Sequence, residues 1–261
     1  MSADPIAAEQ ELQRIADALV TPARREPTPS SVVWESRLTL ESRFGPLAYW
    51  MSGSGPTVLL VHGWESSHAD LDAFVAPLLA RGFRVVALDL PAHGESPGTR
   101  ASMPDFGEAI ALLGAHVGPL AGVIAHSAGC PSTAIALQRG LQVQRVALIA
   151  TPERYDRFAR WVASEAGVDG DALIAALDAR GVGVASLVFP ETAARLEVPA
   201  LLVHSKDDRT CDVRGARAVA AAWRGSELLE VDGLGHMRIL RDSAVVERVV
   251  EFVARAGQVI G

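Results

Sequence analysis

Apolar residues in this 261-residue chain alternate between short continuous runs and stretches with helical spacing. The run Thr-Val-Leu-Leu-Val-His at 57–62 is typical of a strand buried on both faces of a parallel sheet. Strands that alternate with helices in this way predict an α/β protein with a mainly parallel, doubly wound sheet. The predicted strands are 33–40, 47–51, 57–62, 84–90, 121–126, 145–149, 199–204 and 227–231, and the predicted helices are 6–20, 71–79, 104–117, 132–137, 213–223 and 243–255.

The alternation stops after Thr151, because residues 152–198 show helical spacing but no clear strand. An insertion at this place lies above the carboxyl ends of the strands and predicts a small helical cap. Residues 1–31 hold an amphipathic helix and a Pro-rich linker. That helix can pack on the domain or on a second copy in a homodimer, and the pattern fits both. We therefore predict one α/β domain at 32–261, with the cap at about 152–198.

The composition narrows the class of protein. Hydrophobic residues make up 49% of the chain and charged residues 21%, as in a soluble globular domain. The formal charge of −7 argues against nucleic acid and anionic membranes as partners. Two cysteines form no disulfide framework or metal motif. No signal peptide or membrane-spanning run is evident, so we expect a cytoplasmic protein.

Residues 123–130 run from an apolar strand through Ser127 into an Ala-rich helical pattern. A sharp strand-to-helix turn needs small residues two positions either side of its apex, and Ala125 and Gly129 satisfy that need. Such a turn presents the side chain of Ser127 above the sheet as a nucleophile. An ordinary serine at a helix N-cap is the alternative interpretation.

A serine nucleophile needs an adjacent base, which a third group orients. His236 ends the sequence Gly233-Leu234-Gly235-His236 just after the last predicted strand and is the candidate base, with a plain surface histidine as the alternative. Asp207 and Asp208 follow the preceding strand, and their side chains should diverge, so only one can face the histidine. Asp212 directly precedes a helical pattern and is better explained as its N-cap.

Two further motifs complete a resemblance to a known family. His62-Gly63-Trp64 ends the first buried parallel strand, and residues 89–96 read D-x-P-x-H-G-x-S. With the serine motif and the order Ser, Asp, His, the chain resembles the α/β-hydrolase superfamily over residues 57–240. The family's nucleophile elbow is G-x-S-x-G, and here Ala125 replaces the first glycine.

The resemblance implies roles for individual residues. The backbone N–H groups of Trp64 and Ala128 would form the oxyanion hole. Asp208 fits the family's D-x-x-[small apolar] pattern and would be the triad acid, with Asp207 a turn residue facing solvent. His93, in the second motif, would support the elbow and the oxyanion loop rather than take part in catalysis.

The implied activity is that of a serine hydrolase that cleaves a small to medium carboxylic ester through an acyl-enzyme, without cofactor or metal. Thioesters, amides, C–C bonds and cofactor-free perhydrolysis use the same triad and stay open. A ligand-binding member of the fold without catalysis is the rival of another class, and a complete triad does not favour it. The apolar residues predicted to roof a pocket under the cap are Phe158, Trp161, Val162, Leu173, Ile174 and Leu177.

Overall fold

An eight-stranded sheet lies at the centre of the protein, in a computed structural model that describes residues 5–23 and 29–256. The strand order is β1-β2-β4-β3-β5-β6-β7-β8, with β1 and β2 antiparallel to their neighbours and the other pairs parallel. The predicted fold class is therefore confirmed. The strands are β1 (Ser36–Leu40), β2 (Leu47–Ser52), β3 (Thr57–Val61), β4 (Arg84–Leu88), β5 (Leu120–His126), β6 (Val143–Ile149), β7 (Ala200–Ser205) and β8 (Glu227–Val231). The helices are α1 (Pro5–Ala18), α2 (Val75–Ala80), α3 (Met103–Val117), α4 (Gly129–Gln138), α5 (Tyr155–Ala166), α6 (Gly170–Asp178), α7 (Phe189–Ala193), α8 (Val213–Ala222), α9 (Gly235–Arg238) and α10 (Ser243–Ala254).

The central strands are buried on both faces, as their continuous apolar runs predict. Along β3, Leu59 and Val61 face a core shared with α3, α4 and α8, because side chains alternate along a strand. Val58 and Leu60 face the opposite core, which is shared with α2 and α10. Helices therefore cover both faces of the sheet, and the carboxyl ends of the parallel strands remain as the edge where loops can assemble a site.

The segment predicted as one helix at 71–79 is divided in the structure. Residues His68–Phe74 form a 3₁₀ helix, and the α-helix α2 begins only at Val75. Pro77 explains the division, because a proline has no N–H and is tolerated only in the first turn of an α-helix. The sequence pattern records apolar spacing but not this change of hydrogen bonding.

Residues 152–198 contain α5, α6 and α7, and the described residues there form no strand beyond one isolated bridge between Arg154 and Val188. Leu173 and Leu177 are fully buried in a cluster with Leu12 and Ile15 of α1. The prediction that these two leucines roof a pocket is wrong, because α1 covers them instead. Phe158 and Trp161, by contrast, remain 43% and 60% exposed.

The N-terminal helix packs within its own chain, which is the first of the two predicted alternatives. Arg180 donates hydrogen bonds to the side chains of Asp17 and Gln13, and Arg100 forms a second ion pair with Asp17. The N–H of Ala23, beyond α1, donates to the Glu65 carboxylate at 3.0 Å. The predicted linker at 21–31 lies partly outside the described residues. None of the helices in the described chain is long and apolar enough to cross a membrane.

Candidate active site

Ser127 stands at the apex of the turn from β5 to α4, where the residue spacing predicts it. Its φ of 51° lies in the left-handed region, which is strained for any residue with a side chain. The strain is held in place because the Ser127 N–H donates to the Ile149 carbonyl of β6 at 2.9 Å. A Cβ at Gly129 would lie 2.6 Å from the His62 carbonyl oxygen, so the helix and the end of β3 could not approach this closely with a larger residue.

His236 reaches Ser127 from the loop after β8. Its Nε2 lies 3.1 Å from Ser127 Oγ, although the two residues are 109 positions apart in the chain. The glycine on the amino side of His236, Gly235, has a φ of 59°, a conformation that L side chains rarely adopt. The His236 side chain is only 15% exposed. A short loop with a left-handed glycine therefore brings the imidazole back over the sheet edge.

Asp208 is the carboxylate that the structure brings to His236. Its Oδ2 lies 2.7 Å from His236 Nδ1, and its Oδ1 accepts hydrogen bonds from the N–H groups of Thr210 and Cys211 at 2.8 and 2.9 Å. Burial by itself raises the pKa of Asp208, but the hydrogen bonds from His236 and the two backbone groups outweigh it and lower that pKa. An ionised Asp208 only accepts, so His236 carries its proton on Nδ1 and presents the Nε2 lone pair to the serine hydroxyl.

Asp207 does not reach the histidine. Its side chain is exposed, as predicted. Its Oδ1 also accepts hydrogen bonds from Ser205 Oγ and from the Gly235 N–H. Asp207 thus ties the end of β7 to the loop that carries His236. Asp212 caps α8 by accepting from the Arg214 N–H, in agreement with its predicted place at the helix N-terminus.

The two predicted oxyanion donors border Ser127. A Cβ on Gly63 would lie 2.9 Å from Ser127 Cβ, so the peptide between Gly63 and Trp64 runs against the serine. Ala128 directly follows the serine at the start of α4. Among the residues described, no protein acceptor takes the N–H of either Trp64 or Ala128. Two such donors beside a nucleophile are available to an oxygen that gains negative charge.

The Trp64 ring is partly buried and packs against the core. It lies edge-on to His93, with ring centroids 5.2 Å apart, and tilted against Phe106 at 5.8 Å. His93 thus contacts the side chain of the residue whose N–H borders the serine, and its supporting role stays a prediction.

Sequence reasoning missed several neighbours of the triad. The Cys211 N–H donates to Asp208 Oδ1, and burial raises the pKa of the Cys211 thiol to about 12, so the thiol stays protonated at neutral pH. His126 and His204 were not among the predicted site residues, but each ring contacts the backbone of a segment that carries a triad residue. The only sequence signal is that each histidine ends an apolar run.

Within residues 5–23 and 29–256 there is no group of three or more histidine, cysteine, aspartate or glutamate side chains that could hold a metal ion.

Comparison with known proteins agrees with the fold. The model of the alpha/beta hydrolase family matches residues 58–249. Among solved structures, an esterase from Pyrococcus furiosus is similar with a TM-score of 0.67 and 20% identity, covering 91% of this chain and 99% of that chain.

Two curated proteins match parts of the sequence. A pimeloyl-[acyl-carrier protein] methyl ester esterase of Chromobacterium violaceum is 36% identical over 129 residues, 48% of this chain and 49% of that protein. The magnesium-chelatase 30 kDa subunit of Rhodobacter capsulatus is 34% identical over 124 residues, 44% of this chain and 42% of that protein. The matches thus span about half the length of these curated relatives or less.

Proposed function

The chain belongs to the alpha/beta hydrolase family, and from this membership we propose that it is a serine hydrolase that cleaves a small to medium carboxylic ester. The observation that carries the proposal is the continuous arrangement of Ser127, His236 and Asp208, with contacts of 3.1 and 2.7 Å. An aligned nucleophile, base and orienting acid are what acyl transfer by serine requires.

Acylation begins when Ser127 Oγ attacks the ester carbonyl while His236 Nε2 takes the hydroxyl proton. The negative charge moves to the carbonyl oxygen, where the N–H groups of Trp64 and Ala128 would stabilise it. Loss of one such donor typically costs about 10²–10³-fold in rate. As the tetrahedral intermediate collapses, the alcohol leaves with the proton from His236, and the acyl group stays on Ser127.

Deacylation repeats these steps with water. His236 Nε2 takes a proton from the attacking water, the same two N–H groups hold the second oxyanion, and the carboxylic acid leaves as Ser127 Oγ regains its proton. Asp208 stays ionised throughout, and its role is to keep the His236 proton on Nδ1 and to stabilise the imidazolium. Its lowered pKa is consistent with that role.

An ester is the proposed substrate class because the partial match to a pimeloyl-[acyl-carrier protein] methyl ester esterase points to ester chemistry. The proposed limit on substrate size comes from the cap. Its three helices are short, and α1 covers two of its fully buried leucines, so few apolar side chains of the cap remain to surround a long acyl chain. We propose that the partner is a small-molecule ester and that no cofactor is needed. Thioesters and amides enter the same experiment as competing substrates.

The test is covalent labelling with a fluorophosphonate, followed by turnover of p-nitrophenyl esters of increasing acyl length, a thioester and an anilide. We expect labelling at Ser127, its loss in Ser127→Ala with an unchanged melting temperature, and fastest turnover for short or medium esters. Ser132→Ala is the matched control, because this buried serine donates to the Ala128 carbonyl inside α4. Labelling that persists in Ser127→Ala would refute the nucleophile, and faster turnover of the thioester or anilide would refute the substrate class.

A further inference from the structure

Three parallel strands end in a buried histidine. His62 directly follows β3, His126 is the last residue of β5, and His204 lies one residue before the end of β7. Their exposed fractions are 0%, 2% and 0%. The proposed mechanism uses none of these rings, although a buried imidazole is costly unless its polar atoms find partners. Each ring makes one hydrogen bond to a backbone carbonyl. The three carbonyls lie in the segments that carry the proposed oxyanion donor, the base and the acid.

The His62 ring holds the peptide that precedes the Trp64 N–H. The Leu90 N–H donates to His62 Nε2 at 3.0 Å, so that nitrogen carries the lone pair and Nδ1 carries the proton. His62 Nδ1 then donates to the Gly63 carbonyl at 2.7 Å. The described chain has no cis peptide bond, so this carbonyl and the Trp64 N–H point in opposite directions on one planar unit. Fixing the carbonyl therefore fixes the direction of the proposed oxyanion donor.

The His126 ring holds the backbone of the base. His126 Nε2 donates to the His236 carbonyl at 3.0 Å, and the two rings lie 4.7 Å apart between centroids. A carbonyl can only accept, so the proton of His126 is on Nε2. Its Nδ1 is buried and has no hydrogen-bond partner among the described residues, which agrees with a neutral ring. The bond anchors the four-residue helix α9, which is too short to orient the base by itself.

The His204 ring holds the turn of the acid. His204 Nε2 donates to the Cys211 carbonyl at 2.8 Å and lies 3.5 Å from Asp208 Oδ2. The N–H of Cys211 in turn donates to Asp208 Oδ1. His204 therefore braces the segment whose backbone directs the carboxylate towards His236.

We propose that His62, His126 and His204 are positioning residues that hold, through neutral ring N–H groups, the three backbone segments carrying the oxyanion donor, the base and the acid. The proposal rests on the proposed serine hydrolase function. A rigid ring at a strand end suits this task, because it reaches across to a neighbouring loop and loses little rotamer freedom. These three segments come from separate loops, so small displacements among them would be costly.

The first test is the ring tautomer in the full-length wild-type protein, read from long-range ¹H–¹⁵N correlation at neutral pH. We expect the proton on Nδ1 for His62 and on Nε2 for His126 and His204. This measurement does not require activity. The opposite tautomer at His62, or a ring proton on Nδ1 of either other histidine, would overturn the proposal.

The second test is a matched set of variants, because Asn places a donor near the Nδ1 position of histidine and Gln near the Nε2 position. We expect His62→Leu, His126→Leu and His204→Leu each to lower kcat by about 10- to 100-fold with little change in KM, as misplacement of catalytic groups predicts. His62→Asn, His126→Gln and His204→Gln should regain most of that loss. His68→Leu is the control, because the contacts of this buried ring with described residues are to Asp89, Trp50 and Trp34, which lie outside the three segments.

A transition-state analogue separates positioning from general destabilisation. A trifluoromethyl ketone forms a hemiketal whose oxyanion occupies the proposed hole, so its inhibition constant in His62→Leu should rise by the same factor by which kcat falls. Leu variants that keep wild-type kcat, or that lose no more than His68→Leu, would refute the proposal. Wild-type protein that is neither labelled by the fluorophosphonate nor active on esters would instead refute the proposed function. The measured tautomers would still test the three histidine hydrogen bonds in that case.

Discussion

Replacement of Asp208 by asparagine is the sharpest test of the triad, because the structure fixes which way the new amide must face. Asp208 Oδ1 accepts two backbone N–H groups, and only the amide oxygen can take that place. The amide NH₂ must then face His236 Nδ1, where Asp208 Oδ2 now lies at 2.7 Å. A donor in that place moves the His236 proton to Nε2, so the ring cannot accept the proton of Ser127.

The expected loss in kcat depends on which of two orientations the new amide adopts. In an enzyme with a Ser-His-Asp triad, the wrong tautomer of the histidine lowers kcat by about 10⁴-fold. Rotating the amide would restore the tautomer but would oppose its NH₂ to the N–H groups of Thr210 and Cys211, each left unsatisfied at a cost of about 1 kcal/mol or more. At about 1–1.5 kcal/mol for each group, the two amount to about 2–3 kcal/mol, or close to 10² in rate. We therefore expect kcat to fall by about 10²–10⁴.

The assay is p-nitrophenyl ester hydrolysis at saturating substrate, with active sites counted by fluorophosphonate titration. Asp207→Asn is the matched control on the adjacent residue, because an asparagine oxygen can still accept from Ser205 Oγ and the Gly235 N–H. It should stay near wild type. A large loss in Asp207→Asn with a small one in Asp208→Asn would move the acid to Asp207. Two near-neutral variants would refute the triad.

The other predictions concern stability and substrate size. Burial lowers the pKa of His126 to about 3, against about 6.5 when unfolded. Below about pH 6.5, His126 therefore binds a proton in the unfolded chain but stays neutral in the folded chain. The free energy of unfolding should fall as pH drops, by up to about 1.4 kcal/mol per pH unit. Urea unfolding between about pH 7 and pH 5 should therefore show a steeper loss for wild type than for His126→Gln, and equal slopes would contradict the neutral buried ring. Gly129→Ala places a Cβ 2.6 Å from a backbone oxygen and should cost about 1–3 kcal/mol, whereas Gly170→Ala, which meets only the flexible side chain of Arg160 and its backbone at longer range, should be near neutral in the same denaturation experiment. Ile15→Ala should cost about 2–4 kcal/mol at any protein concentration if α1 is part of the monomer's core, and a loss that depends on concentration would point to a dimer instead. Hydrolysis rates should decline from short to long acyl esters without a jump at the micelle threshold, and preference for long-chain emulsions would contradict the small cap.

The sequence alone determined those features that depend on local rules. The eight strands follow from apolar runs and the turn at Ser127 from the small residues at 125 and 129, because burial and steric limits act on neighbouring positions. The pairing of Ser127 with His236 was also predicted, from the Gly-rich turn after the last strand together with the resemblance to a family. The cap was predicted as helical for the same local reason, since its helices carry apolar residues at helical intervals.

Tertiary structure decided the features that depend on which surfaces meet. Leu173 and Leu177 carry the same apolar signal whether they roof a pocket or pack on α1, and only the position of that helix tells the two apart. Asp207 and Asp208 have the same chemistry, and the turn that follows β7 selects Asp208 because its backbone N–H groups converge on that carboxylate. Beyond the fact that each ends an apolar run, the sequence does not indicate what the strand-end histidines contact, since their partners are backbone carbonyls. Every residue carries such a carbonyl, so only the folded chain determines which one a ring can reach.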